Sequence, residues 1–217
     1  IAQGLHAVHC ATDENGRALH MVHRDVTAPN VLVDKSGDAR LIDLGIARSV
    51  ENLAATEPGT IKGTVRYLSP ELLQGLPPTP KSDLWGLACV MFEAATGRPI
   101  HEGAPAQTMI SILRTHPLDK PEAAGIDEKL RDVLAVMFER DPAKRIGDGY
   151  ELAEMLQRVE AELGEGAEEL ASVVMTVAGD QDDDEIAAAQ AGGGPLEANK
   201  LPELTGTLLE EPSSSYG

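Results

Sequence analysis

Two carboxylates and one amide near the start of the chain have the side-chain types that hold a divalent metal ion. Asp25 and Asn30 lie in the segment His23–Asn30, which reads HRDVTAPN, and Asp43 follows after two short apolar runs. Magnesium prefers oxygen ligands and keeps several of its waters, so a protein can hold it through two such side chains when phosphate groups supply further ligands. Asp and Asn are also common turn residues, so the pattern gains weight only if the chain brings these residues together.

A predicted β-hairpin brings two of them together. The runs VLVD at 31–34 and ARLI at 39–42 are rich in branched residues, and the turn sequence KSGD at 35–38 separates them. Such runs on either side of a glycine-containing turn are typical of a tight hairpin. Asn30 and Asp43 flank its two outer ends, so we expect their side chains to lie close enough to share one metal ion.

The segment HRDVTAPN resembles the catalytic loop of protein kinases, for which the pattern is H-R-D-L-x-x-x-N. Four further blocks follow in the order of that family. They are Asp43–Gly45 (DLG, similar to D-F-G), Gly63–Glu71 (GTVRYLSPE, similar to the end of the activation segment), Asp83–Ala88 (DLWGLA, similar to the start of the central helix) and Asp141–Arg145 (DPAKR, similar to D-P-x-x-R). Five ordered blocks are far more specific than any one of them. On this resemblance, residues 1–163 are identified as a member of the bacterial-type Ser/Thr protein kinase family.

The resemblance implies phosphoryl transfer, which depends on positioning and on neutralising the transferred phosphate. It implies that Asp25 is the catalytic base and that Asn30 and Asp43 are Mg²⁺ ligands. ATP would be the co-substrate, and a hydroxyl of a protein substrate would be the acceptor. His23 is expected to pack and to orient the loop, because the base role belongs to the carboxylate.

Three other matched residues are expected to hold the lobe together. Asp83 corresponds to the family residue that anchors the backbone of the catalytic loop. Glu71 and Arg145 correspond to a buried pair with bidentate geometry, which joins distant parts of the lobe.

The activation segment suggests regulation. Arg24, beside the catalytic Asp, is typical of kinases that are controlled by a phosphate on this segment. Thr56 and Thr60 are the predicted acceptors, and the alternative is that they are ordinary loop threonines. Thr64 matches the family threonine that contacts the catalytic Asp. Thr27 departs from the family, which usually has a Lys there to steady the γ-phosphate, and a hydroxyl supplies no charge.

The chain lacks the Gly-rich loop, the Ala-x-Lys strand and the partner Glu helix of the ATP-binding lobe; the glycines at 192–194 precede Pro195 rather than a helix. The resemblance therefore covers the C-terminal lobe of a two-lobed α+β fold, and the other lobe would be supplied upstream. We expect residues 1–217 alone to have no measurable kinase activity and to expose an apolar strip where that lobe packs. The alternative is a non-catalytic, kinase-derived docking module.

Charge and cysteine usage restrict the partners. The formal net charge of −18 and the absence of an evident basic patch predict no nucleic-acid partner. The sequence has no apolar run long enough to cross a membrane. Cys10 and Cys89 have neither metal-ligand nor disulfide spacing, and their apolar helical contexts predict that both are buried. These features predict a cytoplasmic location.

The predicted fold class is mainly α with small β-hairpins, followed by a disordered acidic tail. Helical patterns are predicted over 1–11, 84–95, 126–138 and 152–163, and residues 19–22 read as a strand. The second of these helices is apolar on nearly every side and should be buried all round. Residues 1–163 carry a net charge of −7 and residues 164–217 one of −11. This change predicts a kinase domain over 1–163 and a tail over 164–217.

Overall fold

A computed structural model of the protein describes residues 1–45 and 65–164. Within these ranges, helices and one antiparallel sheet of two strands alternate with short 3₁₀ turns. In chain order the elements are α1 (Ala2–His9), β1 (Val31–Val33), β2 (Ala39–Leu41), α2 (Pro70–Leu73), α3 (Pro80–Thr96), α4 (Pro105–Arg114), α5 (Glu128–Met137) and α6 (Gly149–Leu163). The predicted fold class, mainly helical with a small hairpin, is confirmed. No helix in the described part of the chain is long and apolar enough to cross a membrane.

Helix α3 is the centre of the core. It begins with Pro80, whose fixed φ suits the first helical position, and ends at Gly97, which adopts the left-handed φ of 68°. Every residue from 82 to 90 is buried, whereas Ala94 and Ala95 are exposed. The prediction of a helix buried all round over 84–95 is therefore confirmed for the first part of that range and wrong at its end. Trp85 meets Phe138 edge to face, with ring centroids 5.3 Å apart, which is a favoured aromatic geometry.

Helices α1 and α6 pack against each other. Asp148 caps α6 by accepting hydrogen bonds from the backbone N–H groups of residues 150 and 151. The carboxylate of Glu151 accepts from the N–H of Gly147 at 2.7 Å, one residue before the cap. A Cβ on Gly149 would lie 2.5 Å from the carbonyl oxygen of Ala2, so glycine permits this close approach of the two helices.

Two predictions about local structure are wrong. Residues 19–22 form no strand. The pairing nearby is an isolated bridge between Thr12 and Ala18, closed by a turn in which the side chain of Asp13 accepts hydrogen bonds from the N–H groups of Asn15 and Arg17. Cys10 is exposed, because it ends α1 on a side that the core does not cover, whereas Cys89 is buried within α3. The predicted tail, apart from Gly164, lies outside the described residues.

Candidate active site

The hairpin places Asn30 and Asp43 at one end of the sheet. Val31 pairs with Leu41 and Val33 with Ala39. The N–H of Ile42 donates to the carbonyl oxygen of Asn30 at 2.9 Å, which extends the pairing one step further. Asn30, just before β1, and Asp43, just after β2, therefore lie at the same end of the hairpin.

The turn of the hairpin is closed by its own aspartate. Asp34 accepts hydrogen bonds from the N–H groups of Ser36 and Asp38 and from the Ser36 hydroxyl. The hydrogen bond from the Ser36 hydroxyl is the main cause of the lowered pKa of Asp34. A turn stabilised in this way fixes the strand register and so the relative position of the two candidate metal ligands.

Asn30 is joined directly to Asp25. Its side-chain Nδ2 donates to the backbone carbonyl oxygen of Asp25 at 2.8 Å and to the carboxylate Oδ2 at 2.7 Å. Because the amide nitrogen is used as the donor, Oδ1 is the atom that Asn30 can offer to a cation. Asp25 is buried, whereas Asp43 is exposed.

The donor chemistry fits a hard divalent cation. The amide oxygen of Asn30 and the carboxylate of Asp43 are the ligand types that Mg²⁺ prefers. The described residues contain no group of three His, Cys, Asp or Glu side chains able to hold a metal. Asn30 and Asp43 therefore suit an ion such as Mg²⁺, which proteins bind through one or two side chains. Phosphate oxygens and water complete the coordination shell of such an ion.

Asp83 at the start of α3 holds the backbone of the catalytic loop. Its Oδ2 accepts from the N–H of His23 at 2.7 Å, and its Oδ1 accepts from the N–H of Arg24 at 2.9 Å. Arg24 has a φ of 66°, a region that residues with a Cβ seldom occupy. The two hydrogen bonds stabilise this conformation and direct the chain into Asp25.

Gly45 ties the DLG segment to the same loop. Its N–H donates to the carbonyl oxygen of His23 at 2.8 Å. A Cβ at this position would lie 2.9 Å from that oxygen and 3.2 Å from the Cβ of Asp25, both closer than ordinary contact. The absence of a side chain at Gly45 is therefore what lets the segment of Asp43 approach Asp25.

His23 is buried in this arrangement, with 3% of its surface exposed. Burial lowers the pKa of His23, although the nearby carboxylates of Asp83 and Asp25 oppose the shift. A buried imidazole held neutral suits the predicted role of packing and orienting the loop.

Glu71 and Arg145 form a bidentate pair. Arg145 donates from Nη1 and Nη2 to the two carboxylate oxygens of Glu71 at 2.7 and 3.0 Å. The same guanidinium donates to the carbonyl oxygens of Lys81 and Glu139 and lies 5.1 Å from the centre of the Trp85 ring. The pair thus connects α2, the start of α3 and the segment before α6.

The remaining predicted residues are placed as follows. Thr27 is buried beside Asp25 and lines a narrow cleft with Tyr67 and Leu72. Its hydroxyl brings no charge to the position where the family has lysine. Thr56, Thr60 and Thr64 lie outside the described residues.

Sequence reasoning missed two side chains near the site. His9 donates from Nε2 to Oδ2 of Asp83 at 2.8 Å. The hydroxyl of Tyr67 donates to Glu93 at 2.7 Å, and burial raises the pKa of this tyrosine. The helical pattern predicted α1 but could not reveal which of its polar residues turns inwards.

An apolar groove opens beside Asp43. It has a volume of about 310 Å³ and lies between α1 and the segment 39–44. Ile1, Val8 and Leu41 contribute to its walls, and Leu44 at its edge is 41% exposed. That the ATP-binding lobe packs on an exposed apolar strip of this chain stays a prediction.

Comparison with known proteins identifies the family. Residues 1–159 match the protein kinase domain. The chain is 31% identical over 159 residues to a serine/threonine-protein kinase, drp72, of Corynebacterium efficiens, covering 73% of this chain and 29% of that protein. It is 33% identical over 156 residues to the serine/threonine-protein kinase PknD of Mycobacterium tuberculosis, covering 70% and 22%. The identity to PknA of the same species is 29% over 155 residues, covering 69% and 36%.

The chain thus spans about a third or less of the length of these curated relatives. The match to the protein kinase domain covers most of this chain, however, and it includes the catalytic loop, the hairpin and the central helix. The chain therefore belongs to the protein kinase family.

Proposed function

We propose that this chain forms the catalytic-loop lobe of a Ser/Thr protein kinase that transfers the γ-phosphate of ATP to a hydroxyl of a protein substrate. One observation carries the proposal: Asn30 is hydrogen-bonded to Asp25 through both the backbone and the carboxylate, at the open end of the hairpin that leads to Asp43. These contacts support a site in which a carboxylate base lies near two oxygen ligands for a cation.

Each residue has a defined part in this proposal. Asp25 accepts the proton of the substrate hydroxyl, and the hydrogen bond from Asn30 keeps its carboxylate oriented. Asn30, through Oδ1, and Asp43 hold Mg²⁺, which when bound neutralises charge on the phosphates of ATP. Thr27 offers a hydroxyl near the transferred phosphate, and the metal and residues elsewhere neutralise the charge of that phosphate.

We further propose that the apolar groove between α1 and the segment 39–44 receives the ATP-binding lobe. Apolar side chains that stay exposed beside a catalytic centre mark a surface for packing. Residues 1–163 are proposed as the kinase domain and residues 164–217 as an acidic tail, with a cytoplasmic location. A phosphate on Thr56 or Thr60 would pair with Arg24 and order the activation segment.

Metal binding tests the site without any need for activity. Mn²⁺ added to residues 1–217 should broaden the amide NMR signals around Asn30 and Asp43 selectively. The Asp43→Asn variant should lose this effect. Asp38→Asn in the exposed hairpin turn is the matched control and should retain it.

Activity is tested in a polypeptide that joins residues 1–217 to an ATP-binding lobe. We expect protein phosphorylation that falls by at least about 100-fold in Asp25→Asn, because a side-chain amide cannot accept the proton of the substrate hydroxyl. Phosphorylation that persists in Asp25→Asn would overturn the assignment. Absence of both metal binding and activity in the wild-type protein would favour the docking-module alternative.

A further inference from the structure

We propose that His101, Lys120 and Arg140 form a binding site for a phosphate anion, separate from the catalytic loop. The imidazole Nε2 of His101 and the guanidinium Nη2 of Arg140 are both buried, and neither has a hydrogen-bond partner within the described residues. Neither residue lines the catalytic cleft or the apolar groove. This inference goes beyond the proposed function and does not depend on it.

The last turn of α4 holds two of the three residues. His101 follows α3, and its Nδ1 lies 2.9 Å from Oγ of Ser111. Arg140 follows α5, and its Nη1 donates to the carbonyl oxygen of Leu113 at 2.6 Å. Because Ser111 and Leu113 are two residues apart in α4, side chains from two different parts of the chain meet at the same end of one helix.

Lys120 adds a third basic group. It lies between two 3₁₀ turns and is half-buried. The positive charges of Lys120 and Arg140 both act on His101, whereas no carboxylate in the described part of the chain opposes them there. The neighbouring Glu102 is exposed. The cluster is therefore positive in a chain whose formal net charge is −18.

Basic groups in such a cluster call for a counter-charge. A buried donor without an acceptor has lost its water and gained no bond, and buried charges are normally paired. The ion pairs within residues 1–45 and 65–164 include neither Lys120 nor Arg140. A buried polar atom without a partner indicates an ion or a water molecule that completes its hydrogen bonding. Two such atoms beside two cationic side chains favour an anion over water.

The hydrogen-bonding groups favour phosphate. When Nδ1 of His101 accepts from the hydroxyl of Ser111, the ring hydrogen is on Nε2, which can then donate to an anion. The planar guanidinium of Arg140 and the ammonium group of Lys120 are both groups that bind phosphate oxygens. A phosphate dianion balances both cations, whereas a carboxylate balances only one. The phosphate is either the free anion or part of a phosphorylated side chain.

The site lies close to solvent. His101 itself is 1% exposed, but the next two residues, Glu102 and Gly103, are exposed, and Lys120 and Arg140 are half-buried. A small anion therefore has to pass only this loop and the two cationic side chains.

Titration of residues 1–217 with inorganic phosphate, followed by NMR, is the first measurement. We expect a saturable shift of the imidazole ¹⁵N signals of His101, which sodium chloride at the same ionic strength should not produce. Phosphate should also raise the pKa of His101, because an anion beside Nε2 favours the charged ring. A response to acetate equal to the response to phosphate would overturn the assignment to phosphate.

Calorimetric titration of variants with phosphate is the second measurement. His101→Asn can still bond to Ser111 but has no atom at the position of Nε2. Its affinity for phosphate should fall by at least about tenfold, as for the loss of a hydrogen bond to a charged group. Lys120→Met removes the charge, keeps the apolar stem and should weaken binding to a similar extent. Lys129→Met is the matched control, because Lys129 pairs with Glu162 at the surface, and it should bind phosphate as the wild type does.

A short peptide that contains phosphoserine separates the two sources of phosphate. Binding of the peptide at His101 supports a phosphorylated side chain as the ligand, and binding of inorganic phosphate alone supports the free anion. The absence of a saturable response of His101 to either would overturn the proposal. Unchanged affinity in Lys120→Met would also overturn it, and this result does not depend on how well His101→Asn folds. These are binding measurements, so a chain without kinase activity would refute the proposed function and not this site.

Discussion

Replacing Glu71 by Gln should destabilise the protein strongly, because it removes the counter-charge of a buried guanidinium. Arg145 is 2% exposed and Glu71 5%. The glutamine has nearly the same shape and can still accept one hydrogen bond, so the substitution changes charge with little change in packing. A second cation lies beside the pair, since Nζ of Lys81 donates to the carbonyl oxygen of Arg145 at 2.9 Å.

The expected cost follows from the burial of the pair. Removing one partner of a buried ion pair costs about 3–5 kcal/mol, because the remaining charge stays desolvated. Arg145 keeps its hydrogen bonds to the carbonyl oxygens of Lys81 and Glu139, so we expect the lower end, about 3 kcal/mol. That is a large share of the roughly 5–15 kcal/mol by which a domain is stable. It corresponds to a fall in Tm of roughly 6–12 °C for a chain of this size.

The assay is urea unfolding followed by circular dichroism, with the free energy of unfolding obtained by linear extrapolation. Glu162→Gln is the matched control, because Glu162 pairs with Lys129 at the surface, where both side chains are about half exposed. Surface pairs contribute little, so the control should be close to the wild type. A loss of less than about 1 kcal/mol in Glu71→Gln, or one equal to that of the control, would refute the argument that burial makes this pair important.

Three further outcomes are expected. Gly45→Ala should reduce kcat and Mn²⁺ binding, because its Cβ would lie 2.9 Å from a carbonyl oxygen of the catalytic loop. Gly125→Ala is the matched control and should leave both unchanged, because a Cβ there would have nothing within 4 Å. Burial and two neighbouring cations lower the pKa of His101 from 6.5 to about 4. As the pH falls, this histidine therefore binds its proton in the unfolded chain before it does so in the folded protein. The free energy of unfolding should fall by about 3 kcal/mol as the pH drops from 6.5 to 4. Urea unfolding at several pH values should show this fall in the free energy of unfolding in the wild type and not in His101→Asn. An equal pH dependence in the two proteins would contradict the prediction. A thiol reagent should modify Cys10 in the native protein and reach Cys89 only in denaturant, because Cys89 is buried and burial raises its pKa. Mass spectrometry counts the modified thiols, and rapid modification of both cysteines in the native protein would contradict the structure.

Local patterns in the sequence predicted the parts of the site that are close together in the chain. The hairpin between Asn30 and Asp43 follows from branched residues around a turn, and the buried central helix follows from its continuous apolar run. The same kind of reasoning failed at residues 19–22 and at Cys10. His20 has a φ of 48°, which interrupts an extended conformation and which the residue types do not show. The helical period likewise does not show which face the rest of the protein covers.

The sequence by itself determined the family, the order of the catalytic blocks and the residues that can hold a proton or a cation. Only the tertiary structure decided how these residues are fixed. His9 meets Asp83 and Glu71 meets Arg145 across 74 residues of chain in each case. No local preference encodes such contacts, because they form only when several helices pack and leave each buried charge a single set of partners. The hydrogen bonds that Asp83 accepts from the catalytic loop are for this reason a property of the folded lobe and not of the sequence motif alone.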